Sequence, residues 1–518
     1  SDLRLCRLRE INMKLFSLME GIDVLEVSGD TGGEVLDICY DSRKCGKDSL
    51  FVAIAGLKFD GHDYVSEAIK RGAMHIVYER DVPQEPGITF IRVGDSRRAL
   101  GKLGKKFYNN PTTELCLIGV TGTNGKTTVT YLLESILKTA GFRVGVTGTI
   151  NYRFNGKVFQ SDITTPESVD LQRIFRDMVE AGVTHVVAEI SSHALDFKRV
   201  DDCEHDIGVF TNLSQDHLDY HHTIENYYLA KKRFFQELLK EGKRMIINVD
   251  DPWGRRMLHE IGTRGITFGI ENQCDIYADE YDISLNGINA TIKTSRGKFS
   301  ISSPMTGKFN LYNILASASA ATMLDVSEKN IQKGIATLRR VPGRFEKVSK
   351  KNEPAVFVDY AHTDDALKSV LENLSHFKTN KVITVFGCGG DRDRGKRPLM
   401  GKAASELSDL TIVTSDNPRT ENPLEIISEI EGGIKESSIR KYNSEDLSKG
   451  FSERGYIIIP DREEAINLAV SLADPLDIIL IAGKGHEDYQ IIGERKIPFD
   501  DVSVALKALA KHRFRRTR

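Results

Sequence analysis

The sequence predicts an α/β protein of three domains: a small N-terminal α/β unit over 1–110, a central P-loop ATPase-like, doubly wound domain over 111–343, and a C-terminal Rossmann-like domain over 344–518. Three observations carry that prediction. Short apolar runs alternate with helical patterns along most of the chain. Its 518 residues allow about three separate cores. The stretch Thr121-Gly122-Thr123-Asn124-Gly125-Lys126-Thr127-Thr128 stands between an apolar run at 115–120 and a helical pattern of Val129, Leu132, Leu133, Ile136 and Leu137, the context of a phosphate-binding loop.

In the first domain, strands are expected at 49–54, 75–78 and 88–93, with a helix at 65–71. After Asn109-Asn110-Pro111, strands follow at 114–120, 143–150, 184–190, 206–211 and 244–249, with helices between them. Alternating segments within 274–303, punctuated by Asn286-Gly287 and Arg296-Gly297, predict hairpins at the edge of that sheet. A helix at 310–324 closes the domain. Past Val341-Pro342-Gly343, a third βα series places strands at 355–359, 381–386, 410–414, 456–459 and 477–481.

Composition is that of an ordinary globular protein, 40% hydrophobic and 28% charged with a formal net charge of −3, so nothing calls for nucleic acid. The basic residues Lys511, Arg513, Arg515, Arg516 and Arg518 read as a solvated terminus without a function. Seven cysteines without a Cys-x-x-Cys pair argue against a disulfide framework and a structural zinc site, and fit a reducing cytoplasm. No apolar run approaches the roughly 20 residues of a membrane span, and no basic region followed by an apolar core opens the chain.

The phosphate loop carries the chemistry. Backbone N–H groups in a Gly-rich turn converge on phosphate oxygens, a helix N-terminus adds positive potential, Lys126 reaches the β/γ-phosphates, and Thr127 can hold Mg²⁺. Strict spacing for such a loop requires Gly at 120, where this chain has Val120, so the loop is a variant. Gly387-Cys388-Gly389-Gly390-Asp391-Arg392 is a poor dinucleotide fingerprint, because Arg392 occupies the third glycine position. Glu189 ends a strand and lies in reach of a nucleotide-bound Mg²⁺. His217 and His221 have the i, i+4 spacing of a zinc pair, but the Glu of a His-Glu-x-x-His helix is missing and no third ligand is evident. Taken alone, Lys231 reads as a surface lysine on an amphipathic helix.

Together these motifs resemble one family, the Mur ligases, ATP-dependent amide-forming enzymes of peptidoglycan precursor synthesis with three domains. The resemblance rests on Thr-Gly-Thr-Asn-Gly-Lys-Thr-Thr (121–128), Glu-Ile-Ser-Ser-His-Ala-Leu (189–195) and Phe-Thr-Asn-Leu-Ser-Gln-Asp-His-Leu-Asp-Tyr-His (210–221). It continues through Gly-Lys-Phe-Asn-Leu-Tyr-Asn (307–313), Pro-Gly-Arg-Phe-Glu (342–346), Asp-Tyr-Ala-His-Thr (359–363) and Gly-Cys-Gly-Gly-Asp-Arg-Asp (387–393). Asp416-Asn417-Pro418-Arg419 and Gly483-Lys484-Gly485-His486-Glu487 resemble the branch that adds meso-2,6-diaminopimelate to UDP-N-acetylmuramoyl-L-alanyl-D-glutamate. Lysine-adding members differ at the arginine; addition of L-lysine or another diamino acid is the alternative, and a catalytically dead nucleotide-binding homologue the remote one.

The resemblance implies an acyl-phosphate mechanism and assigns roles. Lys126, Glu189, His217 and Lys231 are the implied catalytic residues. ATP would meet Gly122, Thr123, Asn124, Gly125, Lys126, Thr127 and Thr128, with Asn310 and Asn313 at the adenine and Arg344, Asp359 and His362 closing from the third domain. Two Mg²⁺ ions are implied, held by Thr127, Glu189, His217 and Lys231, the last carbamylated by CO₂ so that it presents anionic oxygen. The UDP-substrate would meet Tyr40, Ser42, Thr164, Thr165, Ser191 and Arg199, near Asp41-Ser42-Arg43 and the segment 56–60. Phe197 replaces the Gln of some members. Diaminopimelate would meet Arg392, Asp416, Asn417, Pro418, Arg419, Gly483 and Glu487, because its extra carboxylate calls for a guanidinium partner. The expected partners are these small molecules alone, with no nucleic acid and no membrane insertion, for a monomer in the cytoplasm.

Overall fold

A computed structural model describes residues 12–56, 59–161, 163–262, 265–447 and 450–512. Leu57 and Lys58 of the expected 56–60 segment, Cys6, and residues 513–518 of the basic terminus lie outside the described residues.

Three large sheets organise the chain, each fed by one of the three βα series. The first has five strands in the order Val24–Ser28, Thr89–Val93, Ala73–Tyr78, Ser49–Val52, Asp37–Cys39, with the helix Ser96–Phe107 packed beneath it. The cysteine expectation needs one correction here: Cys39 and Cys45 form a disulfide across the short 3₁₀ turn Ser42–Lys44. A turn, rather than a Cys-x-x-Cys spacing, brings their Cα atoms to 5.9 Å. The other described cysteines, at 116, 203, 274 and 388, are free.

The central sheet has a parallel core, Val144–Thr147, His185–Glu189, Cys116–Thr121, His205–Phe210, Leu239–Asn248 and Ile266–Gly269. Alternate residues on its strands enter opposite cores. Ile118, Val120 and Val187 pack against the helix Lys126–Thr139, whereas Leu117, Val186 and Ala188 pack against Ile174, Phe175 and Phe234. That is double winding: both faces of a parallel sheet are covered. The predicted hairpins, Ile276–Ser284, Gly287–Thr294 and Gly297–Ser303, continue the sheet at one edge. A second hairpin, Asn151–Phe154 with Lys157–Gln160, closes the other edge and was not anticipated.

The third sheet runs Glu346–Lys347, Ala355–Asp359, Ile478–Ala482, Val382–Phe386, Leu410–Val413, Gly455–Ile458, Arg440–Lys441, parallel except at its first pair. Its last long strand, Ile478–Ala482, inserts between Ala355–Asp359 and Val382–Phe386, so the loops after these three strands and Leu410–Val413 gather at one edge. In open α/β sheets that carboxyl edge is where ligands bind. Among the described residues no helix is long and apolar enough to cross a membrane.

Candidate active site

The phosphate loop leaves the strand Cys116–Thr121 and enters the helix Lys126–Thr139. Gly122 has φ +151°, and a Cβ there would meet Thr211 Oγ1 at 1.9 Å, so no other residue fits. The neighbouring strand end braces the turn: Thr123 N donates to Asn212 O at 2.9 Å, Asn124 N to Asn212 Oδ1 at 2.9 Å, and Thr211 Oγ1 to Asn124 O at 2.6 Å. Val120, in the position of the missing glycine, is fully buried in the strand before the turn and packs in the core.

A cavity of about 800 Å³ opens over this loop, walled by residues of the central and third sheets. The segment 123–128, Thr164, Glu189 and His217 line it together with Asn310, Asn313, Arg344, Asp359 and His362. Asn313 Nδ2 donates to Asn310 Oδ1 at 3.1 Å, and Asn310 Nδ2 to Thr306 O at 2.8 Å, which fixes both amides on the first turns of the buried helix Lys308–Met323. Arg344 Nη2 reaches Thr127 Oγ1 at 3.3 Å across the cavity. Asp359 accepts from Phe345 N and Ala361 N, and burial raises its pKa.

Glu189 is buried and accepts from Thr127 Oγ1 at 3.1 Å, Thr149 Oγ1 at 2.9 Å and Thr149 N at 3.1 Å. These direct donors are neutral, and hard oxygen atoms cluster around the carboxylate, a set that suits Mg²⁺. Thr149, absent from the expected residues, also meets Thr164 Oγ1 at 3.1 Å. Its signal was its place just past the carboxyl end of a parallel strand.

Lys231 departs from the surface-lysine reading. On the helix Ile224–Glu237 it shares the buried stripe of Tyr227, Tyr228, Phe234 and Phe235, and its Nζ donates to Gly122 O at 3.0 Å beneath the phosphate loop. Spacings of +4 from Tyr227 and −3 from Phe234 put it on that face. Burial, then the neighbouring Lys126 charge, hold its pKa well below the ordinary lysine value, with Asp216 opposing. Lys126 Nζ donates to Gly122 O and Thr123 O, both at 2.8 Å, and burial lowers its pKa as well.

His217 and Lys231 do not bond each other; both approach the Tyr227 ring, at 6.0 Å between centroids for the imidazole and 4.5 Å for Nζ. Desolvation lowers the His217 pKa against the pull of Asp216. His221 bonds Ser192 Oγ at 2.9 Å instead of forming a metal pair. Among the described residues no three His, Cys, Asp or Glu side chains are grouped to hold a metal ion.

Of the residues expected at the UDP-substrate, Tyr40 bonds from the first domain to the second, and the others bond within their own domain. Tyr40 Oη donates to Asp170 at 2.6 Å, Ser42 Oγ to Glu67 at 3.1 Å, and Thr165 Oγ1 to Glu189 O at 2.8 Å. Ser191 N donates to Thr165 Oγ1 at 3.1 Å. Arg199 pairs with Glu167, as does Arg97, and both guanidinium groups approach the Phe197 ring. Arg97 and Glu167 carried no sequence signal of their own.

At the carboxyl edge of the third sheet, Asp416, Asn417 and Pro418 are buried and Arg419 is partly exposed, its Nη1 on Gly390 O at 2.7 Å. Arg392 is exposed and its Nη1 donates to the carbonyl of Asp391 at 3.1 Å. Glu487 accepts from Asn417 Nδ2 at 2.8 Å, and Gly483 N donates to Asp359 O at 3.1 Å. The fully buried Arg397 ties the two arginine-bearing loops together, pairing with Glu421 and Glu429 and donating to Gly389 O.

This architecture has relatives. Three family models match in succession: "Mur ligase family, catalytic domain" at 35–108, "Mur ligase middle domain" at 120–321 and "Mur ligase, glutamate ligase domain" at 343–485. A UDP-N-acetylmuramoyl-L-alanyl-D-glutamate–2,6-diaminopimelate ligase of Geobacter metallireducens is 46% identical over 506 residues, 96% of this chain and 99% of its own. A solved structure with that same enzyme name superposes with a TM-score of 0.67 at 32% identity, covering 96% of this chain and 99% of the other. The MurF ligase of Thermotoga maritima in complex with ADP shares the fold at 20% identity, with a TM-score of 0.61 over 92% of this chain and 97% of its own. Matched along nearly its full described length by relatives of this kind, the chain belongs to the Mur ligase family.

Proposed function

We propose that this chain is the ATP-dependent ligase that joins meso-2,6-diaminopimelate to the D-glutamate side-chain carboxylate of UDP-N-acetylmuramoyl-L-alanyl-D-glutamate, releasing ADP and phosphate in peptidoglycan precursor synthesis. The observation that carries the reading is one cavity walled by the phosphate loop, the Thr127–Glu189 oxygen pair and Arg344 of the third sheet. The relatives' shared name supplies the substrates.

In this reading the loop 122–128 and Lys126 hold the ATP phosphates, Asn310 and Asn313 the adenine, and Arg344, Asp359 and His362 the third-domain side. Thr127 and Glu189 would hold one Mg²⁺, His217 and carbamylated Lys231 a second; when bound, the ions offset charge on the phosphates and on the reacting carboxylate. Lys231 suits carbamylation because its amine is buried beside another cation: the neutral nitrogen attacks CO₂, a C–N bond forms and a proton leaves. The D-glutamate carboxylate attacks the γ-phosphorus, ADP departs, and the amine of diaminopimelate then attacks the acyl phosphate. The tetrahedral intermediate collapses with loss of phosphate. Tyr40, Ser42, Thr164, Thr165, Ser191 and Arg199 position the UDP-substrate, and Arg392, Asp416 to Arg419, Gly483 and Glu487 the amino acid. The units divide at 110 and 343, and the enzyme works as a cytoplasmic monomer.

A phosphate-release assay with ATP, the UDP-muramoyl-dipeptide and a panel of amino acids tests the reading. Turnover with meso-diaminopimelate well above that with L-lysine is expected. Preference for lysine would move the chain to the other specificity, and no turnover with any diamino acid would end the proposal.

A further inference from the structure

We propose that Lys484 is a positioning residue for binding of the diamino acid: its buried ammonium sets Asn417 and Glu487 to receive the distal ammonium. The inference rests on the reading of these loops as the amino-acid site.

Lys484 follows the strand Ile478–Ala482 between two glycines in the left-handed region, Gly483 at φ +112° and Gly485 at φ +55°. This turn carries the lysine inward, and it is 0% exposed. Nζ then meets three acceptors on two loops: Asp416 Oδ1 at 3.4 Å, Asn417 Oδ1 at 3.2 Å and Glu487 Oε2 at 3.2 Å. The amide of Asn417 is fixed on both sides, because Nδ2 donates to Glu487 Oε2 at 2.8 Å and Oδ1 accepts from Ile491 N at 3.0 Å. Both bonds to the Glu487 carboxylate fall on Oε2, so Oε1 is the oxygen offered to a ligand.

Charge count explains why a lysine belongs there. Asp416 and Glu487 bring two negative charges to one buried corner, and Lys484 leaves a net charge of one, the complement of a single ligand ammonium. Arg419, held by Gly390 O on the adjoining loop, supplies the opposite charge for a carboxylate. One cation and one net anion match an α-amino acid zwitterion, which diaminopimelate carries at its far end and lysine lacks. Stability alone gives little reason to keep such a cluster, since buried ion pairs are often no better than apolar packing. Without Lys484, mutual repulsion of the two carboxylates would turn Glu487 away.

The test is Lys484→Met in the full chain, with KM measured for meso-diaminopimelate, ATP and the UDP-dipeptide, alongside a thermal melt. A rise of about 30-fold in the diaminopimelate KM, with the other two KM values within about two-fold, is expected from loss of a buried charge partner. Lys484→Arg should recover part of the KM. An unchanged diaminopimelate KM, or an equal rise for all three substrates, overturns the proposal. If Lys484→Met fails to fold, Lys484→Met with Asp416→Asn restores the net charge but not the anchor for Glu487. That double variant should still show the selective KM defect, and a normal KM there also overturns the proposal. Failure of the underlying reading appears separately: wild-type enzyme would not use diaminopimelate at all.

Discussion

Lys231 and Lys484 are both withdrawn from solvent, at 1% and 0% exposure, but into unlike surroundings. Lys231 lies under the phosphate loop with a carbonyl oxygen and an aromatic face for company and Lys126 nearby, so burial and repulsion drive its pKa well down. Lys484 lies among two carboxylates and an amide oxygen. The comparison teaches that partners, more than depth, decide what a buried amine does: in the proposed reading the first reacts with CO₂ and the second holds its neighbours still.

The largest expected effects lie at the phosphate loop. Lys126→Ala should lower ligation on the order of 10²-fold or more, the cost of losing a phosphate clamp in the transition state, while leaving binding of the UDP-substrate intact. Steady-state phosphate release and equilibrium binding of the UDP-dipeptide check this; near-normal turnover would remove the assignment. Lys231→Ala should be inactive to a similar degree, about 10²-fold, and partly recover with added short-chain carboxylates, which can replace a carbamate oxygen. Wild-type activity in that variant, or a loss that no carboxylate relieves, would break the contrast between a reacting and a holding lysine.

Arg419→Ala comes next and sharpens the other half of the comparison. The distal carboxylate of diaminopimelate would lose a charge-assisted partner, about 2–3 kcal/mol in kcat/KM for that substrate. Lysine has no such carboxylate, so its poor use should change far less. Rates with both amino acids at saturating ATP and UDP-substrate decide it; a retained preference for diaminopimelate means that Arg419 is not the selector.

Legibility in the sequence followed contiguity. The buried parallel strands were readable because their residues form apolar runs, unbroken in Ile478–Ala482 and interrupted only by Thr384 in Val382–Phe386. Edge strands without a clear alternation were not: Val24–Ser28 is mostly exposed, and Asn151–Phe154 mixes Asn, Tyr and Arg, although Asn155-Gly156 marks its turn. The same holds for the site. The phosphate loop is one continuous motif, whereas Lys231, whose bond to Gly122 spans 109 residues of chain, was singled out only through resemblance. Arg397, with partners 24 and 32 residues away, gave no local signal. The Cys39–Cys45 bridge was local but outside the spacing that counts as a pair.

The smallest effect tests the same principle far from the chemistry, on an anion. Asp202 packs against the helix Ser96–Phe107, beside Gly101, and burial raises its pKa to about 6 despite Lys105. An acid whose folded pKa exceeds its unfolded value binds its proton more tightly when folded, so its penalty is absent at low pH and grows as pH rises from about 4 to about 6. Asp202→Asn removes the ionisation and should therefore stabilise the protein above pH 6 and do little at pH 4. The shift would correspond to about 3 kcal/mol at most, and remaining solvent contact reduces the expected gain to about 1 kcal/mol, or roughly 2 °C in Tm. Thermal melts of both proteins across pH 4–8 give the answer. A gain that is equal at every pH would assign the effect to packing, and a loss above pH 6 would show that Lys105 compensates Asp202 more fully than its position suggests.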